Sequence, residues 1–555
     1  MRQIVDKTSP RMIFLAGAVV IIVACFAAYS PAIKGGFIWD DDAYVTNNPL
    51  LTAPDGLYRI WFSTDTQSQY FPLVYTTFRV EHKLWGFNPM GYHIVNVMIH
   101  IINALLLWLL LRRLSIPGAW FASAVFALHP VNVESVAWIT ERKNVLMLFF
   151  SLLSVLCWME SITIDKFTLD NRLGRKTIIF YIGSLLLYAL ALFSKTTACT
   201  LPAAFVLILW FRRSPLTFKR WMQIVPFVVM GIGMGLFVMW WENRHLGTRV
   251  VDLGLNPADK VLIAGRALCF YLWKLFWPAK LIFSYPRWHI DSTAIRQYTW
   301  PVVSIFAIVC AWLSRERLGR GIVTAMLFFT AMLFPMLGFF KLYTFIYSFV
   351  ADHYQYVASI GPITLVAAGC ALVYQRSGKK ISFFILSAAG ALIMTLGVLS
   401  WKQCHIYTNM KTLWIDTLKK NPDSWLAHGS IGRMLFEEGK YTEAKSHIEQ
   451  KIQLASYIKT VLPAKYALMH YDMAVALQKL NRLDDAAIYY QKSLDIWEHF
   501  ALAHYKLAVI LAAQGNVEQA RLHFFRAIEI TKEQPDNKLT EEICNQLNLL
   551  ERKNK

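Results

Sequence analysis

Apolar runs close to twenty residues long recur through the first 400 positions of this 555-residue chain. Wound as helices, such runs match the ~30 Å of a hydrocarbon core. Helices are also the economical way through it, because each pairs its own backbone N–H and C=O groups where no water is at hand. With 56% hydrophobic and 17% charged residues, the chain carries too little charge for a soluble protein of its size. The runs predict an all-α fold: a polytopic membrane helix bundle of about eleven spans. Crossings are expected near 12–30, 92–111, 117–133, 144–160, 177–193, 199–212, 221–241, 299–314, 321–340, 357–375 and 381–401. The stretch 262–283 is apolar but broken by Arg266, Lys274, Pro278 and Lys280, and reads as a re-entrant or interfacial segment. Ala27-Ala28-Tyr29-Ser30 is loosely cleavage-like, but the many later spans favour keeping the first run as a span.

The net charge of +20 does not point to nucleic acid, because the basic residues sit in short loops between apolar runs. These are Arg112-Arg113, then Arg172, Arg175 and Lys176, then Arg212-Arg213 with Lys219-Arg220, then Arg315, Arg317 and Arg320, then Arg376 with Lys379-Lys380. An excess of Lys and Arg in alternate loops is the positive-inside pattern. It places the amino terminus, with Arg2, Lys7 and Arg11, inside. Eleven crossings then leave the carboxyl-terminal part outside. The eight cysteines are scattered without a CxxC pair or a metal-ligand spacing.

This topology gathers ionisable residues at the outer face. The first outer loop, 30–91, opens with Trp39-Asp40-Asp41-Asp42-Ala43-Tyr44 and also holds Arg79, Glu81 and His82. Between later spans lie His129-Pro130-Val131-Asn132-Val133-Glu134, Glu141-Arg142-Lys143, Ser194-Lys195-Thr196-Thr197 and Asp352-His353-Tyr354. Adjacent carboxylates repel, so the aspartate run is the first candidate for chemistry.

Past residue 421 the pattern changes to amphipathic helices with a repeat. Ala467, Tyr471, Ala474 and Ala486 recur 34 residues on as Ala501, Tyr505, Ala508 and Ala520. An earlier copy, Gly439-Lys440-Tyr441-Thr442-Glu443-Ala444, is offset by 42. That period with fixed small residues is the tetratricopeptide pattern, and about three copies form an α-solenoid. The chain thus divides into a membrane domain, 1–401, and an extracytoplasmic repeat domain, 402–555.

Tyr70-Phe71-Pro72-Leu73, Gly86-Phe87-Asn88-Pro89-Met90-Gly91-Tyr92-His93 and Ala127-Leu128-His129-Pro130-Val131-Asn132-Val133-Glu134, followed by Arg142-Lys143, resemble the transmembrane and tetratricopeptide repeat-containing proteins. That family is similar to GT-C glycosyltransferases, which take a sugar from a polyprenyl-phosphate carrier at the outer face; its animal members are implicated in O-mannosylation of proteins. The resemblance implies a GT-C-like bundle, and its acidic pair falls on Asp40 and Asp41. The broader class's Asp-Glu-Ala-Tyr motif aligns instead on Asp41-Asp42-Ala43-Tyr44, so Asp41 is common to both registers. Two places depart from the family: Lys195-Thr196-Thr197, and Ala351-Asp352-His353-Tyr354, where a histidine replaces a permanent cation.

Glycosyl transfer needs a base for the acceptor hydroxyl, and Asp41 or Asp40 is expected to supply it, since a carboxylate among carboxylates holds its proton more tightly. Lys195 with its flanking hydroxyls is expected to bind phosphate oxygens, with Arg142 and Arg79 as alternatives. Glu134 and His129 are expected to orient the acceptor or a divalent metal, whose need the sequence leaves open. Asp352, His353 and Tyr354 are expected near the donor head. The implied partners are a polyprenyl-phosphate-linked sugar, membrane lipid, and a protein or peptide acceptor held by the repeats, with no nucleic acid. A transporter or flippase would carry ionisable residues in mid-span, and a non-catalytic scaffold would need one span. The compact loops and short repeat array favour a bacterial inner membrane, with site and repeats in the periplasm.

Overall fold

A computed structural model describes residues 10–64, 69–165, 171–246, 253–533 and 537–553. Arg2 and Lys7, used above for orientation, lie outside them. The described residues form helices and helical turns with no strand. The chain divides into a membrane unit (1–250, 254–283 and 287–413) and a repeat unit (251–253, 284–286 and 414–555).

The membrane unit contains α1 (Pro10–Ile33), α2 (Gly56–Phe62), α3 (Pro72–Trp85), α4 (Pro89–Arg113), α5 (Ala119–Leu128), α6 (Val133–Ala137), α7 (Arg142–Asp165) and α8 (Asn171–Ser194). It continues with α9 (Leu201–Phe211), α10 (Phe218–Leu246), α11 (Pro257–Phe276), α12 (Thr299–Leu313), α13 (Gly321–Leu333), α14 (Ile360–Arg376) and α15 (Lys379–Cys404). Among the described residues, six segments are long and apolar enough to cross a membrane: 14–33, 89–113, 139–163, 174–194, 218–245 and 379–408. Large apolar side chains such as Val19, Ile179, Leu186, Phe383 and Phe384 stand exposed on them, while Asn96, His100 and Asn103 are wholly buried. Apolar outside and polar inside is the arrangement that lipid selects.

The other five expected crossings are shorter helices of 10, 11, 15, 13 and 17 residues. The clearest case is 117–133, where α5 stops at Leu128, about 15 Å of helix. Pro130 has no N–H to continue it. The carbonyls left at its end are taken by side chains: Asn132 Nδ2 donates to Phe126 at 2.8 Å, His100 Nε2 to Ala127 at 3.0 Å, and Ser400 Oγ to Leu128 at 2.8 Å. These bonds let irregular backbone persist inside the bundle, since an orphaned carbonyl there would cost several kcal/mol.

The segment 262–283 also differs from a simple re-entrant hairpin. It begins as the continuous α11, started by a reciprocal capping box between Asn256 and Asp259. Lys274 folds back, donating to the carbonyls of Ala279 and Lys280 at 2.8 and 3.1 Å, and so closes the helix end. Arg266 lies 4.3 Å over the Trp288 ring. Gly265 permits close packing on α12: a Cβ there would sit 2.4 Å from Pro301.

The repeat unit pairs α16 (Trp425–Glu437) with α17 (Tyr441–Leu454), α18 (Pro463–Lys479) with α19 (Leu483–Ile496), and α20 (Ala501–Ala513) with α21 (Val517–Glu533); α22 (Asn537–Lys553) follows. The recurring alanines 444, 474, 486, 508 and 520 are fully buried where paired helices touch. The extra length of the first linker holds a short helical turn, Ile458–Val461.

Gly265→Ala should drive a methyl into the Pro301 backbone and destabilise the membrane unit by about 1–3 kcal/mol. A thermal melt in detergent checks this; an unchanged midpoint would show that α11 and α12 separate freely.

Candidate active site

The loop between α1 and α2 reverses at Trp39, a non-glycine residue with φ of +50°. Backbone in that region is strained and needs outside support. Asp41 provides it. Its side chain is fully buried and accepts from the Ile38 N–H at 2.8 Å, from the Thr140 N–H at 2.8 Å and from the Thr140 hydroxyl. One carboxylate thereby fastens the first loop to the turn preceding α7.

Asp40, its neighbour, is held less fully: its Oδ1 is buried with no hydrogen-bond partner. Burial chiefly pushes the Asp40 carboxyl up to about 6; Glu141 adds to the rise, while Lys143, the Thr140 hydroxyl and His353 oppose it. Burial pushes Asp41 up to about 7, against its Thr140 bonds and with a contribution from Asp40.

The groups facing Asp40 belong to one ion-paired cluster. Glu141 lies 3.2 Å from Lys143 Nζ and 3.2 Å from Lys195 Nζ. Asn144 donates to Glu141 at 2.6 Å, to Ser135 Oγ at 3.1 Å and to the His353 carbonyl at 3.0 Å, and accepts from Lys195 at 2.9 Å. His353 Nδ1 stands 3.2 Å from Glu134, whose other oxygen accepts from the His353 N–H at 2.9 Å. Lys143 Nζ lies 4.9 Å over Tyr44 and 5.6 Å over Phe71. The Trp138 indole meets His353 edge-on at 5.8 Å.

The structure thus brings Asp40, Asp41, Glu134, Lys195 and His353 into one neighbourhood. Arg142, Arg79 and His129 serve elsewhere. Arg142 is wholly buried, pairs with Glu81, binds Asn96, and donates to the Tyr92 carbonyl at 2.9 Å. Arg79 donates to the carbonyls of Leu50 and Ala53, shaping the first loop. His129 donates to the Leu275 carbonyl at 2.9 Å. Asp352 is buried, and Tyr354 meets Thr344 Oγ1 at 2.6 Å. Thr140, Glu141, Lys143 and Asn144 are added by the fold. Their signal in the sequence is helical phase: Glu141 and Asn144, three apart, share a face at the start of α7, and Arg142 points away from it. Among the described residues, no three His, Cys, Asp or Glu side chains gather in metal-ligand geometry.

A cavity of about 530 Å³ runs between α4, α7, α9, α13 and α14. Asn144, Lys195, Thr197 and Tyr354 line one part of it, while Leu148, Phe328 and their neighbours make the rest apolar. The segment 262–283 does not line it.

These features define a helical integral membrane protein with a buried acid–base cluster and a tetratricopeptide array. A tetratricopeptide-repeat family model matches residues 471–537. The homologues are protein O-mannosyl-transferases, as the motifs of the first loop and of 127–136 implied. TMTC2 of Homo sapiens is 22% identical over 79% of this chain and 62% of its own length. TMTC4 of Homo sapiens is 25% identical over 76% and 64%. F38B6.6 of Caenorhabditis elegans is 23% identical over 78% and 62%. The chain therefore spans under two thirds of these relatives. Among solved structures, an Archaeoglobus fulgidus oligosaccharyltransferase aligns over 78% of this chain and 59% of its own, with 12% identity and a TM-score of 0.43.

Arg142→Met should strand the Glu81 carboxylate in the interior and cost about 3–5 kcal/mol of stability. The detergent melt of Arg142→Met beside Arg142→Met/Glu81→Met measures it. Equal losses in both would mean that the charge left unpaired is not the cause.

Proposed function

We propose that this chain is a membrane glycosyltransferase that moves a sugar from a polyprenyl-phosphate carrier to a hydroxyl of a protein, with Asp40 as base. The names of its relatives suggest mannose. The observation that carries the reading is the largely apolar cavity with Lys195 and Asn144 in its wall, joined through Glu141 to the groups around Asp40. An isoprenoid tail suits the apolar part, and its phosphate suits the ammonium and hydroxyls of Lys195 and Thr197.

The acceptor hydroxyl gives its proton to Asp40 while its oxygen bonds to the anomeric carbon. The bond from that carbon to the phosphate oxygen breaks, and the phosphate leaves with the electron pair, its charge met by Lys195 and Lys143. One displacement inverts the anomeric centre. Asp41 acts through position: it holds the turn that aims Asp40. His353, between Glu134 and Trp138, orients the sugar. The repeat unit captures the acceptor polypeptide. On this reading the cluster works at the outer face, opposite the basic loops. A bacterial inner membrane and a periplasmic site complete the proposal.

In nanodiscs with polyprenyl-phosphate mannose and a peptide acceptor, Asp40→Asn should lower transfer at least about 100-fold with an unchanged melt. Asp41→Asn should lower the melting midpoint as well as the rate. Full transfer by Asp40→Asn would remove Asp40 as base. Because the Asp40 carboxyl is pushed up to about 6, the wild-type rate should fall as acidification protonates it below that pH; a flat profile there would count against the assignment. Lys195→Ala should raise the KM for the lipid-linked sugar by about tenfold or more, with a smaller change for the acceptor. An effect confined to the acceptor KM would place the phosphate elsewhere.

A further inference from the structure

The seam between the two helices of each repeat carries one facing pair of rings, most of them imidazoles. Positions 428, 470 and 504 on the first helices face 447, 489 and 523 on the second, and all but Tyr489 are histidine. His428 and His447 approach Nδ1 to Nδ1 at 3.0 Å, and His504 and His523 do so at 2.8 Å. His470 stacks on Tyr489 at 5.9 Å between ring centroids, with its Nδ1 buried and unpartnered.

The chemistry of each close pair fixes its protons. His428 Nε2 lies 3.0 Å from the Pro422 carbonyl, and His504 Nε2 lies 2.9 Å from the Glu498 carbonyl. A carbonyl only accepts, so both Nε2 atoms carry hydrogen. In its neutral form each ring then turns a bare Nδ1 lone pair to its partner, which must donate. A first added proton can reside on His447 or His523 Nε2 and leave this bond intact. A second has only the shared Nδ1 of His428 or His504, where two N–H groups would face each other.

We propose that these pairs make the repeat unit an acid-opened device, in which the second proton taken up by each pair parts the two helices of its repeat. The neighbouring charges do not cancel this. Asp423 and Glu443 face the first pair. Glu498 and Arg526 face the second and are themselves paired at 3.0 Å, while Lys459 and Lys492 face His470. Burial holds His428, His447 and His523 below the usual imidazole range and brings His470 and His504 down to about 4. Unfolded histidines bind protons more readily than these, so the stabilisation is present above the ordinary imidazole range and is lost as pH falls.

Hydrogen exchange of the full chain in nanodiscs, corrected for intrinsic rates, tests this. Between about pH 7.5 and pH 5, protection over 425–454 and 501–533 should fall at least about tenfold, with the membrane helices unchanged. His447→Asn puts an amide opposite His428 that donates to the neutral Nδ1 and, turned over, accepts from the protonated one, so no two N–H groups are forced together and the first repeat alone should lose most of its pH response; His523→Asn should do the same for the third. A parent whose repeats keep their protection at pH 5 overturns the proposal. So does a response that persists in the substituted repeat. If His447→Asn fails to fold, the third repeat and His523→Asn decide.

Discussion

The carboxylate of Asp41 fastens together two stretches that the membrane helices alone would leave apart. It receives the N–H of Ile38 on one side and both donors of Thr140 on the other. Around this fastening the left-handed Trp39 becomes tolerable, and Asp40 is left with an uncommitted oxygen among charged neighbours. A buried acid group so fully bonded is structural capital, which explains why the aspartate beside it is the one available for chemistry.

The same economy governs the interior of the bundle. Where α5 breaks at His129-Pro130, side chains from three directions supply the hydrogen bonds that the helix gives up. Asn96, His100 and Asn103 form a polar stripe down α4 whose bonds go to neighbouring backbone, and His100 and Asn103 also reach the Tyr356 hydroxyl at 2.7 and 3.4 Å. The stripe ties the His353 segment and the start of α7 to one helix, fixing the frame of the cluster.

Much of this was legible in the residues. Apolar run length marks the long helices and the repeat period marks the solenoid, because both follow from local periodicity. Short broken helices such as α5 were read as full crossings because hydropathy does not register which carbonyls a distant side chain will take. In the candidate site, residue type and clustering pointed to Asp40, Asp41, Glu134, Lys195 and His353. Arg142 illustrates the limit: beside Glu141 and Lys143 it looks equally fit for phosphate, yet one step of helical phase turns it to Glu81. Phase at a helix start depends on where the helix begins, and the turn before this one is bonded to Asp41, a hundred residues earlier.

The cluster around Glu141 places two ammonium groups, Lys143 and Lys195, against the carboxylates of Glu141 and Asp40. With Asp41 and Glu134 close by, acids outnumber these two lysines, so the cluster offers ordinary anionic phospholipids no special hold. When Asp40 accepts a proton during the proposed transfer, the cluster loses one negative charge just as the phosphate sheds its sugar. On that proposal the spent carrier would be held more firmly until Asp40 returns its proton to water, tying release of the lipid to deprotonation of the acid.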